Sequence, residues 1–127
     1  MKLSLRRVSV ATPGAHSARQ AWPARHSVVL SLTDEQGHRG RGEASPLPGY
    51  SMDTLAQAEQ SLAGLSPSKV SQALEHDDPR KALSRAACLL PDSIPSARMA
   101  FEAAVLDLLG QRRGLSAPAL LGCPLST

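Results

Sequence analysis

The stretch Gly40-Arg41-Gly42-Glu43-Ala44-Ser45-Pro46-Leu47-Pro48-Gly49-Tyr50-Ser51 restricts the fold more than any other part of the chain. Gly40 and Gly42 fall on one face of a period-two segment and leave it bare, so another element can approach the backbone closely. Pro46 and Pro48 fix φ and withdraw two backbone donors, which ends the strand. Gly49 permits a sharp change of direction. Ser51 is placed to cap the next helix through its hydroxyl, and Asp53 to sit against the positive end of that helix. A rigid turn is expected, with Leu47 and Tyr50 offered outward at its tip.

Before this turn the pattern is that of strands. Lys2 to Val10 reads as a first strand bounded by Ala11-Thr12-Pro13-Gly14, with a change of parity between Leu5 and Val8 that suggests a bulge or twist. Thr12 to Arg25 has Pro13, Gly14, Pro23 and no period, and is expected to be a long loop, a kind more often functional than accidental. His26 to Thr33 alternates, with Val28, Leu30 and Leu32 on one face; Asp34-Glu35-Gln36-Gly37 is a turn; and His38 to Ala44 returns as a third strand.

After the turn the period becomes helical. Leu55, Ala58, Leu62 and Leu65 line a first helix that stops near Gly64. Ser66-Pro67 opens a short second helix carrying Val70 and Leu74. Asp78-Pro79 starts a third, whose buried side is Ala82, Leu83, Ala86 and Leu90. Ser96 is expected to cap the longest helix, with Gly110 and Gly114 ending it and Arg112 and Arg113 at its negative end. Met99, Ala100, Ala103, Ala104, Leu106 and Leu108 leave that helix little polar surface, which implies burial on more than one side. Ala117 to Leu121 adds a final turn. The fold class is α+β, a three-stranded antiparallel meander followed by a helical bundle.

The 127 residues, 42% of them hydrophobic, suffice for one domain with a modest core. They fall far short of an eightfold β/α barrel, which needs roughly 250 residues. A net charge of +3 from scattered arginines, with only 2% aromatics, offers no stacking surface for single-stranded nucleic acid. Cys88 and Cys123 form no C-x-x-C pair. The N-terminus lacks a signal-peptide core, and no apolar run reaches membrane-spanning length. These features point to a soluble cytoplasmic protein without nucleic-acid or membrane partners.

Chemistry is sparse. Glu43 is a lone carboxylate at a strand end, a position that more often serves as a structural acceptor than as a general base. Glu75, His76, Asp77 and Asp78 are consecutive and point in different directions, so a helix cap explains them better than a metal site. His16, His26 and His38 share no spacing. Glu102 and Asp107 lie on an apolar helix and read as packing anchors that need partners. No nucleophile elbow, P-loop or dinucleotide fingerprint is present.

The stretch G-R-G-E-A-S-P-L-P-G-Y-S-M-D-T-L-A-Q-A-E resembles the end of the small sheet in the N-terminal capping domain of enolase-superfamily enzymes. The likeness is to the muconate-lactonizing subgroup, and most closely to o-succinylbenzoate synthases. Pro95 to Gly110 resembles the helix that leads from such a cap into its barrel, and Leu120-Leu121-Gly122 the turn after it. On this resemblance residues 1–115 are the capping domain, and residues 116–127 begin the linker to a β/α barrel absent from this chain.

The resemblance implies a magnesium ion and proton-exchanging lysines on the barrel, with the cap closing two loops over the barrel mouth and reading the distal part of a small-molecule carboxylate substrate. Carried onto this sequence, the first loop is Thr12 to Arg25, with Arg19 and Trp22 as substrate contacts. The second is Pro46 to Ser51, with Leu47, Pro48, Gly49, Tyr50 and Ser51. The alternative for Trp22 is that it only pins its own loop. No barrel follows Thr127, so the chain by itself is expected to bind magnesium poorly and to be inactive, whether as part of a longer enzyme or as a truncated product. Dipeptide epimerases and N-acylamino acid racemases share the cap, a non-catalytic binding module is the other class, and a homo-oligomer stays open.

Overall fold

The structure is a computed structural model and describes residues 1–123 apart from Ala15, Ser17 and Arg19. The predicted meander is present as β1 (Lys2–Ala11), β2 (Ala24–Thr33) and β3 (Arg39–Ala44), antiparallel in the order β1-β2-β3. Five helices follow: α1 (Leu55–Ala63), α2 (Pro67–Ala73), α3 (Pro79–Ala87), α4 (Pro95–Arg113) and α5 (Ala117–Leu120). Of these, α1 and α4 lie against the sheet and α3 packs on α4, while Arg39, Arg41 and Glu43 of β3 stay exposed.

Register explains which side. Leu5, Leu30 and Gly42 lie in one cross-strand row and Leu3, Leu32 and Gly40 in the next, and Leu30 and Leu32 are fully buried. The two glycines provide the bare strip on which α4 rests. A Cβ on Gly42 would stand 1.7 Å from the Ala100 carbonyl oxygen, and one on Gly40 2.0 Å from that of Ala104. The helix backbone therefore occupies the volume that side chains would fill, and Phe101, Val105 and Leu108 complete the core beside it.

Pairing along β1 runs unbroken from Lys2 opposite Thr33 to Ala11 opposite Ala24, so the parity change is not a bulge. Alternation turns Arg7 to the helical side, where its guanidinium meets Glu59 of α1 at 2.7 Å, and leaves Val10 exposed on the open face. A long cation at the rim of the core replaces the apolar residue that the pattern seemed to lack.

Ser66 and Asp78 cap α2 and α3 as expected. Two other caps differ. Thr54, not Ser51, caps α1, in a reciprocal box with Gln57. The N-cap position of α4 is Ile94, which makes no side-chain bond; Ser96 instead donates its N–H (2.9 Å) and its hydroxyl (2.7 Å) to Asp53. Asp53 thus serves the positive end of α4 rather than α1, because the loop before α1 lies against the start of α4.

Gly110 does not end α4 but is buried within it, where the chain after the helix folds back: a Cβ there would meet the Leu115 carbonyl at 2.7 Å. Gly114, with φ 64°, is the left-handed cap. Arg112 reaches Asp34 at 2.8 Å and Arg113 the Asp77 carbonyl, so both cations tie the end of α4 to neighbouring segments.

The girth of α4 has a corresponding consequence. Its sheet-facing side is buried, while Met99 is 69% exposed, and an open groove of about 550 Å³, lined by Ala103, Leu106 and Leu115 together with Asp107, Gln111 and Ser116, runs along the other flank. That flank has no cover among the described residues.

Candidate functional site

The two loops singled out in the sequence meet. The second loop is closed on itself: the N–H groups of Tyr50 and Ser51 donate to the Leu47 carbonyl at 3.0 and 2.9 Å, and the Leu47 N–H donates to the Ser51 hydroxyl at 2.7 Å. Gly49 sits at φ 82°, where a side chain would be strained. Ser51 is thereby used within the loop. Pro48 and Gly49 are exposed, Tyr50 is 66% exposed and Met52 85%. Leu47 is half-buried, so of the two side chains expected to project at the tip only Tyr50 does so fully.

The first loop starts as a continuation of the β1–β2 ladder. The Thr12 N–H donates to the Pro23 carbonyl at 2.9 Å, its hydroxyl to the Trp22 carbonyl at 2.7 Å, and His16 bridges to Ala21. Trp22 is turned inward and is only 8% exposed. Its indole N–H donates to the Pro48 carbonyl at 3.1 Å, and its ring meets that of Tyr50 edge-on, with centroids 5.6 Å apart and planes at 68°. Gln20 fills the space beside Gly49, its Oε1 standing 2.2 Å from where a Cβ would be. Arg19 lies outside the described residues.

At the base of the second loop, Arg25 donates to the carbonyl and hydroxyl of Ser45 at 2.8 Å each, while its buried Nε has no hydrogen-bond partner. Behind the loop a cavity of about 210 Å³ is bounded by the start of β2 and the start of α1, with Arg25, His26, Pro46, Ser51, Thr54 and Leu55 among its walls. Asp53, 4% exposed, then fastens the loop's exit to Ser96. The sequence carried no local sign of Asp53's partner, which is 43 residues away.

The other candidates resolve as structure. Glu43 is exposed on β3. Asp78 accepts from the Arg80 N–H, and His76 Nδ1 accepts from the Asp78 N–H. Glu102 is paired with Arg98 at 3.0 Å. Asp107 is exposed rather than buried and accepts the N–H of Arg41 on β3 at 2.9 Å. His26 meets the Ser9 hydroxyl, and His38 meets Asp34 at 3.0 Å. Burial pushes the Asp34 carboxyl upward, but hydrogen bonds from Arg112 and from the backbone and ring of His38, with the charge of Arg112, outweigh it and bring it to about 2.

Among the described residues no group of three or more His, Cys, Asp or Glu is placed to hold a metal ion, and no helix is long and apolar enough to cross a membrane. The described residues therefore bring no set of metal ligands together. What they make is a surface: two loops in contact through Trp22, with Tyr50 at the tip, next to the start of a helix with an uncovered flank.

Several known proteins are similar to this chain in sequence or fold. A curated o-succinylbenzoate synthase of Thermosynechococcus vestitus is 46% identical over 39 residues, which are 31% of this chain and 12% of that protein. The structure of the o-succinylbenzoate synthase from Thermosynechococcus elongatus BP-1, complexed with magnesium in its active site, aligns with TM-score 0.56 at 26% identity. It covers 76% of this chain and 27% of that one. The substrate-liganded L-Ala-D/L-Glu epimerase from Bacillus subtilis aligns with TM-score 0.76 at 23% identity, over 95% of this chain and 33% of that one. The chain thus spans a third or less of the length of these relatives. Residues 2–122 match the family described as mandelate racemase / muconate lactonizing enzyme, N-terminal domain. With its three antiparallel strands, its following helices and no barrel among the described residues, the chain belongs to that family, the N-terminal capping domain of the enolase superfamily.

Proposed function

We propose that this chain is the substrate-reading cap of a magnesium-dependent, cytoplasmic o-succinylbenzoate synthase, a lyase that dehydrates a cyclohexadiene carboxylate in menaquinone biosynthesis. The observation that carries the reading is that α4 has an uncovered flank, with Met99 exposed about one turn after Ser96, while Asp53 fastens the exit of the second loop to Ser96 at the start of the same helix. One partner body can cover the flank and receive the loops together. In this reading that body is a β/α barrel outside this chain. It supplies the ion and the proton-exchanging groups, while Leu47, Pro48, Gly49, Tyr50 and Ser51, with Arg19 and Trp22 of the first loop, close over the distal part of the substrate. The chain's own contribution is to exclude water and orient the substrate.

The identities of 46% and 26% to o-succinylbenzoate synthases favour this choice within the superfamily. A second reading is a dipeptide epimerase or N-acylamino acid racemase. The fold likeness to the Bacillus subtilis epimerase, with TM-score 0.76 at 23% identity, is why it is carried: the same cap fold serves an enzyme of that class. The test is to express the complete native gene and follow magnesium-dependent dehydration of the cyclohexadiene carboxylate beside deuterium exchange at the α-carbon of L-Ala-L-Glu and an N-acylated amino acid. Dehydration is the expected result. Exchange without dehydration would select the second reading, and a product of this length with neither activity would leave a binding module.

A further inference from the structure

Resting on the reading above but departing from its placement of Trp22 against the substrate, the geometry points to Trp22 as a positioning residue rather than a substrate contact: it sets the second loop so that the ring of Tyr50, not its own, faces the ligand. Exposure separates the two rings first. Tyr50 is 66% exposed and Trp22 8%, so in this conformation only the tyrosine has a free face. The chain contains one tryptophan, one tyrosine and one phenylalanine, and Phe101 is fully buried in the core. Tyr50 is accordingly the one aromatic side chain available for contact.

Trp22 holds that tyrosine by two means. Its indole N–H donates to the Pro48 carbonyl at 3.1 Å, two residues before Tyr50, and its ring meets the tyrosine edge-on at 5.6 Å. Edge-to-face pairs are directional, so the indole fixes an orientation and not only a proximity. Gly49 lies between the two anchoring points. Its φ of 82° disfavours any side chain there, and the Gln20 amide packs against it, its Oε1 standing 2.2 Å from where a Cβ would be, so the first loop meets the second along Gly49 as well. Beyond Tyr50, Asp53 fixes the loop's exit to α4. The second loop is held at Pro48, at Tyr50 and at Asp53, and the first two restraints come from Trp22.

The same contacts couple Trp22 to the second loop, so a displacement at Trp22 carries Pro48 and Tyr50 with it. Substrate selection by Tyr50 then depends on a residue that the ligand never touches.

The experiment uses the full-length protein and has two arms. The first needs no substrate. Trp22 is the sole tryptophan, so its emission reports the contact directly. Tyr50→Ala should uncover the indole, giving a red shift and greater acrylamide quenching. Trp22→Phe, which keeps a ring but loses the N–H donor, should speed amide exchange at Tyr50 and Ser51 by about fivefold, with the melting temperature of the domain little changed. The second arm is a kinetic cycle with the cyclohexadiene carboxylate. Trp22→Phe and Tyr50→Ala should each raise KM about five- to tenfold with kcat nearly unchanged, and the double variant should be no worse than Tyr50→Ala alone. A loss of folded protein would lower the apparent kcat instead and leave KM in place. Additive effects in the double variant would show that Trp22 touches substrate itself and overturn the proposal. Unchanged exchange and quenching would overturn it as well. Absence of turnover by the wild-type protein, with the first arm as expected, would count against the proposed activity and leave the clamp standing.

Discussion

Placing one methyl group on Gly42 should separate the sheet from α4. The Cβ would stand 1.7 Å from the Ala100 carbonyl oxygen, 2.7 Å from its carbon and 3.0 Å from the Ala104 nitrogen. Reaching the 3.0 Å below which Cβ contacts essentially never fall requires at least 1.3 Å of movement, and the obstructing atoms are helix backbone, which cannot rotate away. Overpacking of this kind costs about 1–3 kcal/mol, and the rigidity of the obstacle puts Gly42→Ala at the upper end. Loosening of the Arg41 N–H bond to Asp107 adds to the loss, while the smaller entropy of the unfolded alanine chain returns up to about 1 kcal/mol. A net cost of about 3 kcal/mol corresponds to a melting temperature lower by about 10 °C for a chain of this size. Gly40→Ala needs a smaller retreat, 1.0 Å from the Ala104 oxygen, in the same direction. One displacement of the helix therefore serves both residues, and the double variant should cost about 1–2 kcal/mol less than the sum of the singles. Urea denaturation with unchanged m-values is the assay. Gly64→Ala is the control, since its φ is −80° and its nearest atoms lie at 3.5 Å, and it should stay within about 0.5 kcal/mol. A neutral Gly42→Ala, or strict additivity, would refute a helix seated on the strand backbone.

Asp53→Ala removes both acceptors of Ser96 and leaves the first turn of α4 without its cap, and should cost about 1–2 kcal/mol by urea denaturation, with Asp53→Asn retaining part of the stability. For Asp34, whose folded value of about 2 lies below its ordinary 3.8, the stabilisation is complete above about pH 4 and is lost as the pH falls through about 2. It amounts to no more than about 2 kcal/mol, reduced where water screens Arg112 and His38. Stability measured from pH 5 to pH 2 should fall less steeply in Asp34→Asn, and an identical slope would sink the assignment.

What the sequence made legible were features settled within a few residues of each other. Alternation from Val28 to Leu32, the caps Ser66 and Asp78, and the bare face at Gly40 and Gly42 depend on local geometry, and all are present. The misplacements concern residues whose partners are distant in sequence. Asp53 was assigned to the nearest helix but bonds 43 residues away, and Ser51 was read as a cap but turns back to Leu47. Arg7 looked like an interruption of the β1 pattern until Glu59, 52 residues on, supplied its partner. For the loops, spacing indicated stiffness and a sharp turn. It could not indicate which aromatic ring would be covered, because that depends on Pro48 meeting an indole 26 residues earlier.

The bond between Asp107 and the Arg41 N–H bears on how the sheet behaves toward other chains. An outer strand with free donors is a template on which a further strand can grow, and the three-stranded sheet has two such borders. At β3 a carboxylate from α4 already occupies one of the donors that an incoming strand would need, so the helix that builds the core also guards that border against fibre-like addition. The border at β1 relies on charge instead, with Lys2 and Arg6 repelling a second copy of the same strand.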